Sequence, residues 1–159
     1  MRYSTLFALA AVVLFGVSLV LPSVDVVILG KAEPVPGFTI VYIALGFGIS
    51  AIGAIASGAG APAHSGDYFL AAFAAIFNVL FLAMPVLLFR RMLPKRGLDI
   101  SGLLLLTGMG AGVATPFAFG KEVRGLEAGF YVWLLAYVLL LAALVTARRE
   151  LKAAPAMPP

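Results

Sequence analysis

The sequence predicts an all-α fold, a polytopic transmembrane helical bundle, and three observations carry the prediction. Of 159 residues, 63% are hydrophobic and only 11% are charged. The mean hydropathy is +1.11. The apolar residues come in long blocks rather than periodic stripes, each block close to the roughly 20 residues that cross a hydrocarbon core. A soluble domain of this size has too little interior to hide that much apolar surface, so lipid must cover the rest. Residues 1–152 read as a single transmembrane helical domain, and the Pro/Ala-rich stretch from Ala153 to Pro159 as a disordered tail.

The first block, Leu6 to Leu21, follows Arg2 and ends at Pro22. One positive charge before an apolar run also suits a signal peptide, but Leu19-Val20-Leu21-Pro22-Ser23 offers no small-x-small cleavage site, so a retained helix is the better reading. Pro22 to Gly37 is a connector broken by Pro34 and Pro36. Its apolar centre, Val24 to Leu29, is suited to lie against headgroups or another subunit.

The second block, Phe38 to about Ser57, is rich in small residues. At 100° per residue, Gly46, Ser50, Gly53 and Ser57 share one face, a groove that lets another helix come close. After a polar break, Tyr68 to Phe89 forms the third block, with Asp67 placed to cap its first turn. Phe69, Phe73, Phe77 and Phe81 make an aromatic stripe expected to face lipid or a partner. Ala71, Ala75, Asn78 and Leu82 lie opposite, toward the bundle. The fourth block, Leu98 to about Phe119, offers Gly108, Ala111 and Thr115 as a second close-packing face. The last, Ala128 to Ala147, carries Tyr131, Trp133 and Tyr137 as expected interface anchors.

Seven of the eleven basic residues lie in the clusters Arg90–Arg96 and Arg148–Lys152, beside apolar blocks. Their position reads as the inward-facing charge of a membrane protein and not as a nucleic-acid footprint. Two blocks separate the clusters, so both fall on the cytoplasmic side, with the C-terminus cytoplasmic and Lys121–Glu127 outside. The expected location is a bacterial cytoplasmic (inner) membrane. The preferred topology has four crossings plus an atypical Gly-rich second segment, either re-entrant or in a broken pair with its neighbour, with a fifth helix as the alternative. Basic-residue counts do not separate these, because each leaves eight basic residues inside and three outside.

No Asp, Glu, Lys, Arg or His occupies the middle of any apolar block. Membrane enzymes and proton-coupled pumps keep ionisable groups there despite the cost. The chain has no cysteine and one histidine, His64. His64 with Asp67 and Glu33 is too few ligands for a stable metal site. Catalytic residues, metal and cofactor are therefore all expected to be none. Asn78, near the middle of its block, must bond Thr107, Thr115 or a carbonyl freed by Pro85 or Pro116. The resulting expectation is a small non-catalytic membrane protein, a subunit or assembly partner whose contacts are the lipid bilayer and other membrane subunits or a copy of itself. A transporter or channel component with a site between the second and fourth blocks is the first alternative, and an enzyme using His64 at an interfacial cleft the second.

Overall fold

The computed structural model describes residues 2–28, 31–60, 65–90, 92–120 and 123–153. Five helices form: α1 (Tyr3–Val20), α2 (Gly37–Ala56), α3 (Ser65–Phe89), α4 (Lys95–Ala118) and α5 (Ala128–Ala153). Each is long and apolar enough to cross a membrane. Residues 154–159, expected to be a disordered tail, lie outside the described residues.

Three short strands join the helix ends: β1 (Pro22–Ile28), β2 (Lys31–Pro36) and β3 (Val123–Leu126), in the antiparallel order β2-β1-β3. The connector was expected to be irregular, because Pro34 and Pro36 cannot donate to a ladder. They fall on β2, an edge strand, where a missing N–H is tolerated. β1 is the central strand, and its Val24, Val26 and Val27 suit a pleated surface. Glu127 N–H donates to the Ser23 carbonyl at 2.9 Å, tying the start of α5 to the end of α1.

α1, α3, α4 and α5 make an up-down-up-down quartet. α1 opposes α5, with Ser4 beside Glu150 at one end and Leu21 beside Gly129 at the other. α3 opposes α4, with Phe77 against Gly108 and Tyr68 near Phe119. The α1 stripe Ser4, Ala8, Ala11, Phe15 and Ser18 is buried at helical spacing. It meets Ala136, Leu140, Ala143 and Leu144 of α5 in the main core. Small side chains on both helices let the backbones close up, the contact that holds helices together in lipid.

α2 corrects the preferred re-entrant path. It is an unbroken 20-residue helix, ended by Gly58 at φ 76°. At that stop Gly58 N–H bonds the Ile55 carbonyl and Ala59 N–H bonds the Ala54 carbonyl, both at 3.1 Å, which closes the last turn. Its contacts also fix its direction. Gly37 sits beside Ser18 and Leu19, Ala44 beside Ala71 and Ala75, and Gly48 against Ala72, while Phe47 stacks on Tyr68 at 4.8 Å. α2 therefore runs antiparallel to α3 and parallel to α1. From Gly48 it continues for eight residues, about 12 Å, and α3 has seven residues, about 10 Å, between Ala72 and its start at Ser65, so α2 ends at about the level where α3 begins and does not return toward Arg2.

The aromatic stripe on α3 divides. Phe77 and Phe81 are buried, whereas Phe69 and Phe73 are exposed, and Leu82, expected inside, is also exposed. A four-residue repeat drifts by about 40° per step, so one stripe cannot keep facing one way.

Candidate functional site

Asn78 stands at the centre of an interhelical polar cluster between α3 and α5. Its Oδ1 accepts from Trp133 Nε1 at 2.9 Å and from the Tyr137 hydroxyl at 3.1 Å. These are not the partners expected from sequence: Thr107 donates to its own Leu103 carbonyl and Thr115 to its own Ala111 carbonyl. An indole N–H can only donate, so the bond to Trp133 fixes which end of the Asn78 amide is oxygen. The amide nitrogen makes no hydrogen bond among the described residues.

Trp133 and Tyr137, expected as interface anchors, instead lie inside; only Tyr131 is exposed, at 58%. Trp133 is 200° and Tyr137 about 240° around the helix from Tyr131, so the three could not share a face. The inner pair extends an aromatic chain through three helices. Phe15 stacks on Phe81 at 4.6 Å, Phe81 meets Tyr137 at 4.7 Å, and Tyr137 meets Trp133 at 4.6 Å. The pairing was legible in principle: two ring donors four residues apart in one apolar block require an acceptor, and Asn78 is an acceptor in another.

Beside this cluster lies a cavity of about 100 Å³. It is lined by Asn78 and Trp133, by the small residues Ala44, Ala71 and Ala75, and by Thr115 and Pro116 of α4. Pro116 has no N–H to offer the Gly112 carbonyl four residues before it. The hydroxyls around the cavity are committed to backbone: Ser18 Oγ to the Phe15 carbonyl at 2.7 Å, Thr115 Oγ1 to the Ala111 carbonyl at 2.8 Å, and Ser23 Oγ to the Leu21 carbonyl at 3.4 Å. No ionisable side chain is part of the lining.

The small-residue faces take different positions. Gly108 is buried, and a side chain there would lie 2.5 Å from Phe77 Cβ; Ala111 is buried beside it on α4. On α2, the face that packs on this chain is Ala44, Gly48 and Ala51. The face carrying Gly46, Ser50, Gly53 and Ser57 is exposed, and a Cβ at Gly46 or Gly53 would meet nothing within 4 Å.

At the opposite end, Glu150 of α5 accepts from Ser4 Oγ at 2.8 Å and from Ser4 N–H at 3.4 Å. Its charge lies at the start of α1, where the helix dipole favours an anion. Arg148 pairs with Asp99 of α4 at 2.9 Å. Arg2 lies at this end, near Leu93, Leu98 and Leu151. His64, Lys121 and Glu122, and with His64 the interfacial cleft of the enzyme alternative, lie outside the described residues. Among the described residues no three His, Cys, Asp or Glu side chains group as metal ligands would.

No protein-family model matches the chain, no curated protein is similar to it in sequence, and no solved structure is similar to it in fold.

Proposed function

We propose that this is a non-catalytic multi-pass membrane protein that serves as a subunit or assembly partner of a membrane complex. The direction of α2 is the observation that carries the reading. Successive crossings joined by short links alternate in direction, and α2 repeats that of α1. The crossings are then α1, α3, α4 and α5, with α2 on the outer side, and the end bearing Arg2 and both basic clusters is cytoplasmic. A bacterial inner membrane is the fitting location.

An apolar helix that does not cross needs cover of another kind. Tyr42, Ile49, Ile52 and Phe38 are each more than half exposed, and only 17% of the apolar window of α2 is buried against 33% in α3 and in α5. Each large side chain left in water forgoes about 1.5–3 kcal/mol, and a contiguous apolar patch marks an interaction surface. The groove over Gly46, Ser50, Gly53 and Ser57 admits the backbone of a partner helix closely.

The test compares Gly53→Leu with Ile52→Leu. Gly53→Leu is expected to abolish the complex recovered in mild detergent while the monomer stays folded, its heat resistance unchanged or raised by up to about 1 kcal/mol from helix propensity. Ile52→Leu should be nearly silent. A wild-type protein that is strictly monomeric in mild detergent would overturn the proposal.

A transporter or channel component is the second reading. The cavity favours it, because α2 and α4 both contribute lining residues. The lining has no ionisable group with which to couple movement to a proton gradient, which ranks it behind.

A further inference from the structure

The cavity beside Asn78 has a specific chemical character, independent of what covers α2. Its walls are mostly apolar, with Ala44, Ala71, Ala75 and Gly112 leaving the space and the Trp133 ring closing one side. Every side-chain hydroxyl on it already donates to a backbone carbonyl. Trp133 Nε1–H is spent on Asn78 Oδ1. What remains is the Asn78 amide N–H2, two donors held in place because the oxygen of the same amide is pinned by two residues of α5. The hydroxyls, their hydrogens spent, can only accept, so the Asn78 amide is the one free side-chain donor of the lining and selects a ligand by its acceptor.

The volume narrows the class. About 100 Å³ is below the roughly 300–1,000 Å³ of sites that enclose a whole drug-sized molecule. It is enough for one ring or the end of one chain. Ser23 and Val24 of β1 and Phe130 at the start of α5 border the cavity on one side, and Asn78, midway along α3, borders it on the other.

We propose that this cavity binds the carbonyl-bearing part of a membrane amphiphile, its oxygen accepting from the Asn78 amide and its apolar body resting against Trp133. Two sources share that chemistry, the ring of an isoprenoid quinone and the ester group of a lipid. Trp133 is the chain's single tryptophan, so its fluorescence reports this site alone.

The purified protein in dodecyl maltoside would be titrated with ubiquinone-1 in one arm and dihexanoyl phosphatidylcholine in the other, reading Trp133 emission. The expected result is a saturable change in one arm, which names the source. Asn78→Leu should weaken it about five- to tenfold. Because Asn78→Leu also disturbs Trp133 and Tyr137, Thr115→Leu is the second variant: it fills the cavity without touching the amide cluster and should abolish saturation, while Thr115→Val should retain it. Saturation that survives Thr115→Leu would overturn the proposal. So would changes that rise linearly and equally in all variants, which report partitioning into detergent, or no change in either arm, which leaves the cavity to about three waters.

Discussion

α1 and α2 are almost the same helix by composition. They have 18 and 20 residues, nearly equal hydropathy and a scatter of Gly, Ala and Ser. One is built into the core along its whole length, and the other touches its own chain on one narrow face. In α1 the small residues Ser4, Ala8, Ala11 and Ser18 are all buried, Ser4 against Glu150 and Ala8 and Ala11 in the core shared with α5. In α2 they divide between an occupied face, Ala44, Gly48 and Ala51, and an open one, Gly46, Ser50, Gly53 and Ser57. Hydropathy states that a segment is able to cross a membrane; on the proposed topology, the direction in which it leaves the previous helix decides whether it does. Small residues likewise permit a close contact without saying who makes it.

The sharpest way to break this contrast is to place the same side chain on both helices. Ala11 has no exposure, so Ala11→Leu should force α1 off α5 and cost about 3 kcal/mol or more, seen as a large fall in thermal midpoint in detergent. Gly53→Leu should cost the monomer nothing. Equal losses would show that α2 is held as tightly as α1 and would remove the distinction.

Asn78→Leu comes next. It strands the Trp133 N–H and the fully buried Tyr137 hydroxyl without an acceptor, and about 2–3 kcal/mol should be lost. Trp133→Phe, which leaves Asn78 bonded to Tyr137, should cost about 1 kcal/mol. If Asn78→Leu were no worse than Trp133→Phe, the Tyr137 bond would contribute nothing.

The smallest effect is expected at the end of the helices that carries Asp99 and Arg148. The Asp99–Arg148 pair is 47% exposed on both sides, so Asp99→Asn should change stability by less than about 1 kcal/mol, and less still in high salt. A larger loss would mean that this end of α4 depends on the ion pair for its position.

The five apolar helices were legible because their blocks are long and their breaks sharp: Pro22, the glycines at 58 and 60, and Pro94 each fall at a boundary. The strands were not, since Pro34 and Pro36 argue against a ladder unless the edge position of β2 is already known. Asn78 was legible as a buried amide requiring partners. The choice of Trp133 and Tyr137 over the nearer-seeming threonines was missed because threonine in a helix satisfies itself on the preceding turn, as Thr107 and Thr115 do. The α1 stripe was also missed: serine and alanine at heptad spacing in a uniformly apolar block leave no polar face against which to see it.

The parallel course of α1 and α2 is most directly tested by where Ser57 emerges. The chain has no cysteine, so single substitutions Lys31→Cys, Ser57→Cys and Lys152→Cys each give a unique target for an impermeant thiol reagent applied to intact cells. Both Lys31→Cys and Ser57→Cys should label from outside, and Lys152→Cys only after permeabilisation. Labelling of Lys31→Cys from outside with Ser57→Cys reached only after permeabilisation would mean that α2 crosses the membrane, which contradicts the account.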